Sequence, residues 1–225
     1  MSLTVDQLAF LQTPAAAEML AMDLPADELL AQQALRKQFP AEQAQAVVVI
    51  RSLRKRAASS GRFPPEFASD MLATDTLLQQ ASSMRLAAYV GGLLAEQAAG
   101  APIVDLCCGL GADAIGLALA GATVTGVDLT AEAVLCAEHN AGLAGVADRC
   151  TFTQADATWY EIPDGAWVHV DPDRRVTGRR TVSLTDCAPS EKFLRALTPR
   201  TPGGAIKLSP ATDLAELAGW PDAHI

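Results

Sequence analysis

Three histidines are all that this 225-residue chain contains, and His139, His169 and His224 lie too far apart in sequence to pair with one another at close spacing. That argues against a zinc-type site, which needs clustered His and Cys ligands. Cysteine is sparse and odd in number, five residues without metal-type spacing. Such cysteines read as reduced, small, semi-buried residues of a cytoplasmic protein rather than as a disulfide framework. No apolar run is long enough to cross a bilayer, and no charged-then-apolar signal opens the chain, so no membrane partner is expected. Positive charge is also short. The 17 Lys and Arg stand against 26 Asp and Glu, giving a net charge of −9 and a pI near 4.7. That balance counts against broad nucleic-acid binding, in which phosphate contacts dominate affinity. Half of the residues are hydrophobic, enough for a full core with room for one domain and an appendage.

What the chain does have is a series of apolar runs that end in an acid or in glycine. Val104-Asp105-Leu106-Cys107-Cys108-Gly109-Leu110-Gly111-Ala112-Asp113 reads as a strand, a tight glycine turn and a helix N-terminus. Glycine there tolerates positive φ and lets a ligand approach the backbone, although many α/β folds need such a turn for packing alone. Ala122 to Asp128 is a second β-rich run, ending in an acid 17 positions after Gly111. An acid at that strand tip is placed to accept two ribose hydroxyls, and a solvated strand-end aspartate is the alternative. Cys150 to Asp156 and Ala166 to Asp171 repeat the pattern, and Gly204 to Leu208 is a fifth candidate strand. Together they predict one α/β sheet, doubly wound, with its acids at the C-terminal edge where open α/β sheets bind ligands.

The order Asp105-Leu106-Cys107-Cys108-Gly109-Leu110-Gly111, then Gly126-Val127-Asp128, then Gln154-Ala155-Asp156, then Asp171-Pro172 resembles class I S-adenosylmethionine-dependent methyltransferases. The resemblance covers residues 74–210. More narrowly, Asp171-Pro172-Asp173-Arg174-Arg175 and Leu78-Gln79-Gln80-Ala81-Ser82 are similar to a bacterial group that carries a THUMP-like module after the catalytic domain. That group is distantly related to trimethylguanosine synthases. The resemblance implies a Rossmann-like methyltransferase sheet, S-adenosylmethionine as cofactor, and roles by position. Asp105 would hold the methionine ammonium, directly or through water. The backbone around Cys107, Gly109 and Gly111 would approach the methionine part. Asp128 would take the ribose hydroxyls, with Leu129 beside it. Asp156 and the N–H of Ala157 would read the adenine edge. Thr74 and Gln80, in a segment lying over the cofactor, are further candidates, with an ordinary cap and a solvent-facing glutamine as the alternative.

Asp171-Pro172 opens the substrate side. In relatives that methylate exocyclic amines, the acid or amide precedes Pro-Pro and an aromatic that stacks on the base. Here Asp173, Arg174 and Arg175 follow instead. Trp159, Tyr160 or Trp167 could replace the aromatic, although Trp167 lies in a strand-like run and reads as core. An Arg guanidinium can itself stack or grip phosphate, so Asp171, Pro172 and Arg174 are the catalytic candidates. Arg174, Arg175, Arg179 and Arg180 form a basic loop that suits an anionic substrate, or else a solvated loop paired with nearby acids.

Two parts are expected, a helical subdomain over residues 1–73 and the methyltransferase domain over 74–225. Thr4 caps a first helix, Leu29 to Phe39 forms another, and Ala41 to Ala58 a third that includes Val47 to Ile50. Thr76 to Ala98 reads as one long helix. The standard fold closes with a hairpin after the fifth strand, for which the residues after Leu208 are too few, so truncation at the C-terminus is expected. The functional expectation is methyl transfer to an RNA nucleotide. A small-molecule methyltransferase, a nicotinamide-dependent dehydrogenase and a cofactor-binding scaffold without turnover are the rivals. Gly109-Leu110-Gly111-Ala112-Asp113-Ala114 also fits the dinucleotide glycine pattern, but Asp105, Asp156 and Asp171-Pro172 do not belong to it.

Overall fold

Alternating strand and helix signals produce a five-stranded sheet in a computed structural model that describes residues 3–172, 187–208, 211–212 and 220. The strands are β1 (Ile103–Leu106), β2 (Val124–Asp128), β3 (Cys150–Gln154), β4 (Trp167–Val170) and β5 (Gly204–Ile206). All pair in parallel, in the order β3-β2-β1-β4-β5. The chain therefore winds outward from β1 to one edge and then returns to the other side of β1. Between the strands lie α8 (Ala112–Leu119), α9 (Ala131–Leu143) and α10 (Glu191–Leu197).

Side chains alternate across the sheet and divide the core in two. Ile103, Val124 and Phe152 join a large cluster on the face covered by α8 and α9. Val104, Leu106, Val127, Val168 and Val170 pack on the opposite face with Leu194 and Leu197 of α10. The larger cluster continues without a break into the N-terminal helices. These are α1 (Val5–Phe10), α2 (Pro14–Ala21), α3 (Glu28–Leu35), α4 (Ala41–Ser59) and α5 (Pro65–Ala68). Leu8, Met19, Leu35, Ile50 and Leu72 all belong to it. Val47 to Ile50 is helical despite its β-branched run, because three of the four residues are needed on the buried side of α4. Thr4 caps α1 through a reciprocal bond with Gln7.

The long helix expected over Thr76 to Ala98 is two helices, α6 (Asp75–Gln80) and α7 (Met84–Ala98). The Ser83 hydroxyl accepts from the Leu86 N–H and so caps α7, in competition with a continuous helix. The break turns Ser82 toward the ends of the strands. Likewise β5 stops at Ile206, although the Lys207 N–H still donates to the Val170 carbonyl at 2.8 Å. Helices α7 and α8 approach closely through Gly91 and Gly116. A Cβ on Gly91 would lie 2.5 Å from the Gly116 carbonyl, and one on Gly116 would lie 2.3 Å from the Ala87 carbonyl oxygen.

Candidate functional site

The strand order reverses between β1 and β4, and a crevice at the carboxyl ends of the strands follows from that reversal. A cleft of about 810 Å³ occupies this place. That size lies in the range of small-molecule sites, roughly 300–1,000 Å³. Its rim is built from α6 and the linker after it, the turn after β1, the tips of β2 and β3, the exit of β4, and residues 187–190.

The turn after β1 has Cys107 at φ +62°, Gly109 at +55° and Gly111 at +86°. The two glycines serve different ends. A Cβ on Gly109 would meet only Leu77 Cδ2, at 4.0 Å, so the space above this residue is open to the cleft. A Cβ on Gly111 would point the other way, 3.0 Å from the Ala137 Cβ in α9. Gly111 does not line the cleft, and it secures the turn and the α8–α9 contact. Cys107 adopts a left-handed conformation that costs a non-glycine residue about 1–2 kcal/mol, and it lines the cleft.

Asp128 ends β2 and is fixed on both sides. Its Oδ2 accepts the Gly109 N–H at 3.0 Å, and its Oδ1 accepts the Thr130 N–H and hydroxyl, each at 3.1 Å. A carboxylate offers about four lone-pair directions and three are used in this way, so one ligand donor fits directly and a second would share or displace the Thr130 hydroxyl. Leu129 beside it is exposed and lines the cleft. Asp156, past β3, accepts the Thr158 N–H at 2.8 Å and its hydroxyl at 2.7 Å. Those bonds hold its carboxyl below the usual carboxylate range. Ala157, Thr74 and Gln80 also reach the cleft. Thr74 is buried and caps α6 by accepting the Leu77 N–H, whereas Gln80 is exposed.

Asp105 lies elsewhere. It faces the α8 side of the sheet at 1% exposure, and His169 on β4 stands opposite it at 0%. His169 Nδ1 lies 2.7 Å from Asp105 Oδ1. Burial pushes the Asp105 carboxyl up against the pull of His169, and the negative charge of Asp105 holds the His169 imidazole above its ordinary value despite desolvation. Asp105 does not line the cleft.

The cleft's other end is acidic. Asp171 and Pro172 line it together with Asp113 and Ser82. The Ser82 hydroxyl donates to Asp113 Oδ2 at 2.8 Å. Beneath them is Lys207, whose Nζ lies 2.8 Å from Asp113 Oδ2 and 2.9 Å from Asp171 Oδ2 and also bonds to Ser82. Ser82 and Asp113 end stretches that carry motifs, but neither they nor Lys207 have a role assigned from sequence. Lys207 is visible in the sequence only as a cation near the end of the strand expected over Gly204 to Leu208, and Asp113 as an acid in a first helical turn, where the dipole alone explains it. Asn140 is a further omission. Buried in α9, it accepts the Leu72 N–H at 2.9 Å and donates to the carbonyls of Leu72 and Leu110, each at 3.0 Å. It thereby ties the segment before Thr74 to the glycine turn.

Arg174, with Arg175, Arg179 and Arg180, lies outside the described residues. Trp159 is 84% exposed, and Trp167 is partly buried against the core. Burial pushes the Cys136 thiol up to about 12 and the Cys150 thiol up to about 11. Among the described residues, no group of three or more His, Cys, Asp or Glu side chains could hold a metal ion, and no helix is long and apolar enough to cross a membrane.

Residues 103–170 match the family model described as a methyltransferase domain. The chain is 32% identical over 170 residues to an uncharacterised S-adenosylmethionine-dependent methyltransferase of Mycobacterium tuberculosis strain H37Rv, covering 73% of this chain and 44% of that protein. It is 32% identical over 107 residues to a 23S rRNA (uracil(747)-C(5))-methyltransferase of Shewanella sp. strain MR-4, covering 45% of this chain and 28% of that protein. The chain thus spans less than half the length of these curated relatives. A crystal structure from Porphyromonas gingivalis W83, assigned as a methyltransferase, superposes with a TM-score of 0.63 at 22% identity, over 94% of this chain and 51% of that one. The family match begins and ends with β1 and β4, the strands on either side of the crevice, and the long structural match carries the same fold out to the N-terminal helices. On that match, residues 103–170 correspond to a methyltransferase domain, set in a fold that the chain shares with the superposed structure.

Proposed function

We propose that this domain transfers a methyl group to a nucleotide of RNA, with Asp171 orienting the accepting group. The observation that carries the reading is the placement of Asp171 at the exit of β4, in the same cleft as Cys107, Gly109 and Asp128. The cleft suits the cofactor. It has acceptors for hydroxyl and amine donors at Asp128 and Asp156, and an open backbone at Gly109 where a Cβ would intrude. Asp128 would take the ribose hydroxyls. Leu129, Asp156 and Ala157 would hold the adenine, and Thr74 and Gln80 would cover it from α6. Asp105 would act from below, fixing the turn through β1. When bound, S-adenosylmethionine supplies a methyl group already activated by its sulfonium. The chain's own task is orientation: the Asp171 carboxylate accepts a hydrogen bond from a donor group and aims it.

The RNA assignment rests on similarity to the rRNA methyltransferase and on the arginines that follow Asp171 in sequence, Arg174 among them. The bacterial THUMP-like subgroup is the corresponding finer family. The net charge of −9 favours a second reading, a small-molecule acceptor. Single-turnover transfer of labelled methyl to total RNA, alongside cofactor titration, tests both. Asp171→Ala is expected to retain cofactor affinity and lose transfer, because the interaction is made mainly in the transition state. Full activity in that variant removes the role of Asp171. Transfer to metabolites but never to RNA decides for the second reading.

A further inference from the structure

Lys207 reaches three side chains, Ser82, Asp113 and Asp171, and all three line the cleft although Lys207 itself does not. The partners come from different elements: the linker between α6 and α7, the first turn of α8, and the exit of β4. Backbone pairing already docks β5, through the Val168 N–H on the Gly203 carbonyl and the Lys207 N–H on the Val170 carbonyl. The ammonium is therefore not needed to hold the strand, and its contacts are all directed at the cleft floor.

We propose that Lys207 is a positioning residue for methyl transfer: its ammonium bridges Asp113 and Asp171 beneath the acceptor end of the cleft and fixes the Asp171 carboxylate there. The proposal rests on the reading of Asp171 given above. Two carboxylates that close repel each other unless a cation lies between them. The Lys207 side chain is only 16% exposed, so the pairs are little screened by solvent. Among the described residues, the nearby charges come from every packed element. Asp113 is on α8, Asp171 and His169 are on or just past β4, and Asp105 is on β1 within electrostatic reach. Asp113 and Asp171 together hold the ammonium above its ordinary value against the desolvation that would lower it.

Lys207→Met and Lys207→Arg in the full chain test the proposal, with S-adenosylhomocysteine titration and single-turnover transfer to total RNA from cells lacking the gene. A displaced orienting group costs about a hundredfold in rate, so Lys207→Met should lose about that much while cofactor affinity stays within about twofold. Lys207→Arg should recover part of the rate. An unchanged or faster Lys207→Met, or a cofactor affinity that falls in step with the rate, overturns the proposal. A second measurement does not depend on activity. In protein labelled with nitrogen-15 lysine, the Lys207 ammonium should titrate above the ordinary lysine value of about 10.4. It should titrate lower in Asp113→Asn and in Asp171→Asn. A Lys207 titration unmoved by Asp171→Asn also overturns it. If the parent methylates no RNA, the functional reading fails, and the ammonium titration still decides the tether.

Discussion

Replacing His169 by Leu is expected to destabilise the protein severely, and the size of the loss identifies what Asp105 does. The two side chains are sealed in the sheet at 0% and 1% exposure and joined at 2.7 Å. Leucine fills the imidazole's space but leaves the carboxylate without its partner. Removing one member of a buried ion pair costs about 3–5 kcal/mol. For a chain of this size that is a fall of roughly 6–20 °C in Tm. The loss should depend on pH in a definite sense. A lone buried carboxyl has a folded pKa raised above its unfolded value, so its stability contribution is present at low pH and fades as pH rises. The deficit of His169→Leu should therefore shrink toward pH 4. In the parent, His169 is also held above its ordinary value. Its contribution is complete below about pH 6.5 and is lost as pH rises through the raised value. Calorimetric or denaturant unfolding between pH 4 and 8 measures both effects. The double variant Asp105→Leu with His169→Leu should recover most of the stability, since apolar replacement of a buried pair is often neutral. If that double variant also binds S-adenosylhomocysteine as the parent does, Asp105 is a support of the sheet and not a ligand to the methionine ammonium. A loss below about 1 kcal/mol in His169→Leu, or one independent of pH, refutes the reasoning.

The sheet was legible in the sequence because each of its first four strands runs into a residue with a chemical reason to be there. Asp128, Asp156 and Asp171 all arrive at one cleft, and Gly109 opens it. What sequence could not distinguish was which way a residue points. Asp105 and Cys107 are two apart, the first on β1 and the second in the turn that follows, and only Cys107 reaches the cleft. Asp105 sits one level lower, where β4 happens to supply a histidine in register. Gly109 and Gly111 look equivalent in the motif, and only the direction of an imagined Cβ separates them. The break before α7 was readable in principle from Ser82-Ser83, since serine competes with helix backbone, but the surrounding apolar periodicity overrode it. Asn140 and Lys207 were invisible for a different cause. Their partners lie 68 and 30 residues away for Asn140, and 94 and 125 residues away for two of the partners of Lys207. No local pattern encodes contacts of that span.

Four further outcomes follow from the same geometry. Asp128→Ala should weaken S-adenosylhomocysteine binding by about 1.5–3 kcal/mol, the range for hydrogen bonds to a charged group, and equal affinity by calorimetry removes it from the site. Gly116→Ala should lower stability by about 1–3 kcal/mol through overpacking against the α7 backbone, outweighing a helix-propensity gain of up to about 1 kcal/mol; a raised Tm would contradict the close α7–α8 approach. Asn140→Ala strands backbone groups of Leu72 and Leu110, at about 1–3 kcal/mol for each one left buried and unpaired. Cofactor affinity should fall with it, and a variant as stable as the parent refutes the tie. Cys107 supplies the last test, because it holds a left-handed conformation at φ +62° without being glycine. Cys107→Gly removes a strain of about 1–2 kcal/mol but loosens the unfolded chain by about 0.4–1 kcal/mol, so stability should hold or rise slightly. Cys107→Val puts a β-branched side chain at the same φ, where such residues are outliers, and should lose both stability and cofactor binding. The pair isolates backbone strain from side-chain chemistry: a valine variant as stable as the glycine variant would mean that the turn relaxes out of the left-handed region, and that the cleft at Gly109 is not held open by it.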